Sequence, residues 1–180
     1  MDGIEIKVVG IGTMGNNVLN KMMKKEITEV EFVGIDTNQE NLDKLNVELK
    51  MLASEDLSEK VQGALKNTDL VFILTEMSEK KNNEIACVVS EVAKTMGIST
   101  VVVVATSINS NGGTEEIKKL EEISDTVIVL PLKKLVEVDS SATFDKLFEK
   151  RDKIFIKNVE FITNLIKKQG IVNLDFDDVK

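Results

Sequence analysis

The residues best placed to do chemistry form a glycine-rich turn, Gly10-Ile11-Gly12-Thr13-Met14-Gly15, after one apolar run and before a helical pattern. Glycine permits a tight turn and lets a phosphate approach the backbone. The helix N-terminus that follows offers N–H donors and the positive end of a dipole. Asn16 and Asn17 stand where a Walker A loop needs Lys and Ser or Thr, so that mode of phosphate binding is excluded. Two readings stay open. One is a dinucleotide-binding fingerprint, in which Asp36, at the end of the next apolar run, accepts hydrogen bonds from an adenosine ribose and the chain is an NAD(P)-binding Rossmann-type domain. The other is a strand-to-helix turn with no ligand. A second cluster, Asn173-Leu174-Asp175-Phe176-Asp177-Asp178, starts like a calcium loop. Asp178 takes the place of the required Gly, and no bidentate Glu follows. Its carboxylates and amide could polarise a water for hydrolysis, or form a solvated acidic tail.

Composition removes many alternatives. The 180 residues contain no His, which excludes His general bases, catalytic triads built on His and His metal sites. The one Cys, Cys87, excludes a disulfide framework and a Cys-rich zinc site; it lies in an apolar helical stretch and reads as a buried, inert thiol. A net charge of −8 argues against a nucleic-acid binder or a protein held to acidic membrane by charge. No apolar run approaches 18 residues and Met1-Asp2-Gly3 does not open a signal peptide, so the expectation is a cytoplasmic protein.

The elements that must hold these residues follow from hydrophobic patterning. Apolar runs at 5–9, 31–35, 70–74, 100–104 and 127–130, with a further candidate at 47–51, read as strands. Between them, 17–25, 55–65 and 84–96 read as helices. Thr114 is a candidate cap for another, with Glu115 and Glu116 in its first turn. Runs apolar on both faces, such as Leu70-Val71-Phe72-Ile73-Leu74, belong in a parallel sheet covered on both sides. The fold class is therefore α/β: a three-layer, doubly wound parallel sheet. Residues 144–168 break the alternation and read as one long helix. The consecutive Ile154, Phe155 and Ile156 imply that it is contacted on more than one side. The loop at 75–83, at the carboxyl end of a central strand, faces the ligand crevice of such a sheet. It has no Gly with which to form an anion-binding nest, and Lys80 and Lys81 read as a solvated face.

Several stretches together resemble the nucleotide-binding half of FtsZ, the bacterial tubulin homologue of the cell-division ring. Residues 6–17 resemble its first phosphate loop, and Phe32-Val33-Gly34-Ile35-Asp36-Thr37-Asn38 its second strand. Thr68-Asp69-Leu70-Val71-Phe72-Ile73 followed by Met77, and Asp125 to Pro131, resemble two later strands. Residues 170–180 are similar to the synergy loop, which in FtsZ enters the neighbouring subunit's nucleotide site and helps to hydrolyse GTP. The resemblance implies one FtsZ/tubulin-like domain over 1–180, with 144–168 as the family's central helix and without the family's C-terminal domain. It implies a nucleotide site at Gly10, Gly12, Thr13, Met14, Gly15, Asn16, Asn17, Asp36 and Asp152, the last where the family has a guanine-binding Asp or Asn. It implies catalytic roles for Asn173, Asp175 and Asp178.

The family's Gly-Gly-Gly-Thr-Gly-Thr-Gly signature should follow Met77, but Ser78-Glu79-Lys80-Lys81-Asn82-Asn83-Glu84 stands there. The resemblance thus implies a degenerate relative. GTP or GDP is the cofactor if there is one, magnesium is left open, and GTPase activity is weak or lost. The implied partner is a full-length FtsZ-like protein or a second copy, with filament modulation as the outcome. Neither nucleic acid nor a direct membrane segment is expected.

Overall fold

Strands rich in Val, Ile and Leu with no polar face can be stable only between two layers of helices, and this is how the chain is built. The structure, a computed structural model, describes residues 3–25, 27, 29–108 and 114–167. Six strands form one sheet: β1 (Ile6–Ile11), β2 (Glu31–Asp36), β3 (Leu49–Leu52), β4 (Leu70–Glu76), β5 (Ser99–Thr106) and β6 (Thr126–Pro131). Their order is β3-β2-β1-β4-β5-β6 and every pairing is parallel. The order reverses between β1 and β4, the position at which open α/β sheets have their ligand crevice.

The pleat sends alternate residues to opposite layers. On one face Ile6, Val8, Leu70, Phe72, Leu74, Val101 and Val103 meet α1 (Gly12–Lys24), α6 (Leu132–Val138) and α7 (Phe144–Lys167). On the other, Val9, Ile11, Val71, Ile73, Val102 and Val104 meet α3 (Leu57–Ala64), α4 (Lys80–Thr95) and α5 (Thr114–Ile123). A short helix, α2 (Gln39–Asp43), follows β2. Its Asn38 side chain accepts from the Glu40 N–H and caps it. Cys87 is buried in the second layer, and burial pushes its thiol pKa up.

Several boundaries differ from the sequence reading. Helix α1 starts at Gly12 rather than 17, and α4 at Lys80 rather than 84. Strand β4 runs two residues further, to Glu76, so the connection that reads as 75–83 is only 77–79. The third strand is Leu49–Leu52, and α2 and α6 were not anticipated. Helix α7 is unbroken, as the patterning requires. It buries Phe155, Ile156 and Val159 against the sheet, while Phe144, Phe161 and Leu165 are exposed.

Candidate functional site

The turn between β1 and α1 has almost no loop. Ile11 is the N-cap, extended at φ −117°, and its side chain makes no cap bond. The three glycines divide the work. A Cβ on Gly15 would lie 2.3 Å from the Leu74 carbonyl oxygen, and one on Gly10 would lie 2.7 Å from the Gly15 carbonyl oxygen. Both glycines let α1 lie directly on β1 and β4. Gly12 alone has a positive φ, +69°, and its neighbour is the Asn82 amide, whose Nδ2 would be 2.5 Å from a Cβ there.

Asn82 is buried in the first turn of α4, so the N-termini of α1 and α4 converge at the carboxyl ends of β1 and β4. The start of α4 is unusual. Its N-cap, Glu79, makes no side-chain cap bond, and its first turn holds Lys80 and Lys81 with no acidic residue. Cations there oppose the helix dipole and favour a neighbouring anion. Lys80 is exposed, with its Nζ 3.8 Å from Glu84 Oε1.

Thr13 and Asn17 are exposed, and with Lys21 they form a row at i, i+4, i+8 along α1. The row ends about 13 Å from Gly12, at 1.5 Å per residue. Here Lys21 Nζ donates to Asp152 Oδ2 at 2.6 Å. Asp152 is 3% exposed, and its other oxygen accepts from Arg151 Nε at 2.9 Å. Arg151 also donates through Nη1 to Glu76 Oε2 at 3.1 Å, tying α7 to the end of β4.

The remaining expected residues are distributed as follows. Met14 and Asn16 are buried beneath the turn. Asn16 Nδ2 donates to the Ile35 carbonyl at 3.1 Å, and its Oδ1 has no hydrogen-bond partner among the described residues. Asp36 is 3% exposed; one oxygen accepts from the Asn38 N–H and the other from Asn41 Nδ2. The structure therefore brings Gly12, Thr13, Asn17 and Asp152 to one edge. It uses Gly10, Met14, Gly15 and Asn16 to pack the turn, and closes Asp36 into its own loop. Asn173, Asp175 and Asp178 lie outside the described residues.

Lys21, Glu76, Asn82, Phe148 and Arg151 belong to the same edge. Glu76 and Asn82 fall in the 75–83 stretch that the sequence places at the crevice, whereas Lys21, Phe148 and Arg151 were not singled out. For Phe148 the signal was its i, i+4 spacing from Asp152 on a long helix. Among the described residues, no three acidic or Cys side chains converge to hold a metal ion. No described helix is long and apolar enough to cross a membrane.

A six-stranded parallel sheet with a crevice at the β1–β4 reversal and a long helix after β6 is the nucleotide-binding fold shared by FtsZ and tubulin-like proteins. The chain carries an FtsZ-like domain. It is 32% identical to cell division protein FtsZ 1 of Pyrococcus abyssi over 201 aligned positions, which cover 97% of this chain and 54% of that protein. An empty FtsZ dimer from M. jannaschii superposes with a TM-score of 0.87 at 27% identity, over 99% of this chain and 60% of that one. A CetZ from Methanosaeta thermophila, 14% identical with a TM-score of 0.67 over 88% of this chain and 53% of that one, shares the fold. The chain thus spans about half the length of the curated relatives it matches. No family model matches it.

Proposed function

We infer that this is a guanine-nucleotide domain of attenuated affinity, with little or no GTPase activity of its own. The observation that carries the reading is the meeting of two helix N-termini at Gly12 and Asn82, with an exposed row, Thr13, Asn17 and Lys21, leading from it to Asp152. Two converging N-termini favour the polyphosphate of GTP or GDP. A carboxylate at the far end of the row suits the N–H groups of a guanine. The relatives named FtsZ support the choice of nucleotide.

Three features lower the affinity. The Asn82 amide lies over the one glycine that faces the edge. Residues 78–84 contain no Gly with which to wrap a phosphate. Glu79, the N-cap residue of α4, sets a carboxylate side chain at the helix start that would meet the polyanion. Together they cost on the order of 1–3 kcal/mol, roughly tenfold to a hundredfold in affinity. The NAD(P) reading is weaker on this geometry, because both oxygens of Asp36 are already engaged within its own loop.

Isothermal titration of the chain with GTP, GDP and NAD separates these readings. Weak binding of GTP and GDP, above the micromolar range, with none of NAD is expected. Micromolar or tighter GTP binding would refute the attenuation, and tight NAD binding would replace the reading with a dinucleotide one.

A further inference from the structure

Phe148, Arg151 and Asp152 lie close together on α7 and make a recognition site whose occupant belongs to the same chain. The Arg151 guanidinium carbon is 4.7 Å from the centroid of the Phe148 ring. Its Nε donates to Asp152 Oδ1 at 2.9 Å, and Nη2 approaches the same oxygen at 2.8 Å. Lys21 takes the other oxygen of Asp152, and Glu76 holds the third guanidinium nitrogen. Arg151 is buried, while Phe148 keeps 39% of its surface exposed.

The group held here is therefore planar, carries adjacent N–H donors in an N–C–N arrangement, and lies over an aromatic ring with a carboxylate at its edge. Guanidinium groups favour both contacts. Guanine offers the same pattern: its ring stacks, and its N1–H and 2-amino group form an N–C–N donor edge. Adenine lacks it, since its equivalent edge pairs a donor with an acceptor.

The geometry points to Arg151 as an internal stand-in for guanine. A nucleotide base reaches the Phe148 face and the Asp152 carboxylate only when Arg151 withdraws from them, with Glu76 as the partner it keeps. This rests on the guanine-nucleotide reading above and adds to it the residue that limits base binding and sets base selectivity. The polyphosphate end, about 13 Å away along α1, is not part of this competition.

The test is calorimetric titration of GTP, ATP and tripolyphosphate into the unmodified chain, Arg151→Met, Phe148→Leu and the double variant, with thermal melts to establish folding. Arg151→Met keeps the aliphatic stem and removes the fork. It is expected to bind GTP about tenfold tighter, with ATP and tripolyphosphate changed less than about twofold. Phe148→Leu alone should change GTP binding little, because Arg151 already occupies the ring face a base would take, but should remove most of the gain in the double variant. If Arg151→Met does not fold, Arg151→Lys keeps the charge and should show a smaller gain of the same selectivity. Unchanged or weaker GTP binding by a folded variant, with tripolyphosphate still bound, overturns the stand-in and leaves the nucleotide reading intact. Equal gains for all three ligands also overturn it. Binding of neither GTP nor tripolyphosphate by any variant overturns both.

Discussion

Gly10, Gly12 and Gly15 look interchangeable in a motif, yet each answers a different constraint. At Gly15 an added methyl would meet the Leu74 carbonyl at 2.3 Å, and backbone cannot yield as a flexible side chain can. Gly15→Ala is therefore expected to lower stability by more than about 2 kcal/mol, measured by urea or thermal denaturation without ligand. A loss near zero would show that α1 can lift off β4. The motif was legible in the sequence, but its division of labour was not. Which glycine packs a helix against the sheet and which meets the start of α4 depends on Leu74 and Asn82, both distant in sequence from the turn. Asp36 carries the same lesson: its place at the end of β2 was readable, but its engagement by Asn38 and Asn41 follows from a two-residue turn and a short helix with little pattern.

Among elements, the ones recovered from sequence were those with a strong, uninterrupted signal. Strands β4 and β5 are wholly apolar in their centres, and α7 sustains its periodicity over 24 residues. Helices α1 and α4 begin earlier than their apolar pattern, because a first turn of Gly, Thr, Lys and Asn has no hydrophobic period. Helix α6, with 7 residues, is too short to show one. The junction of α6 and α7 is held by an ion pair between Asp139 and Lys150. Lys150, with help from Ser141, holds the Asp139 carboxyl below the usual carboxylate range. A lowered folded-state pKa stabilises the junction above the ordinary carboxylate titration, and this is lost as pH falls through the folded value. Proteolytic or hydrogen-exchange opening around 139–143 should therefore rise below roughly pH 4 and, in Lys150→Ala, be already raised at neutral pH. Protection that does not change with either would mean the pair contributes nothing there.

For the whole molecule the question is how such a domain meets others. If residues 170–180 act as the synergy loop they resemble, and the edge at Gly12 binds nucleotide only weakly as proposed, the chain has one competent and one defective face. A subunit with one competent face and one defective face ends a head-to-tail filament instead of extending it. Added at stoichiometric ratio to a polymerising full-length FtsZ, the chain is expected to lower polymer mass by light scattering. Asp175→Ala with Asp178→Ala should abolish the effect. No change in scattering, or the same change from the double variant, would remove the basis for a filament role.

The strand order also dictates a history for the chain as it is made. Strand β1 lies between β2 and β4, and its second partner begins only at Leu70. Until that residue has left the ribosome, the long side of β1 that β4 will pair, from Ile6 to Gly10, is an open edge with unpaired backbone groups. Such an edge is a template for pairing with any other nascent chain. The strand that organises the finished crevice is thus open to mispairing during synthesis. The arrival of β4 both closes that edge and brings Leu74 and Glu76 to the site.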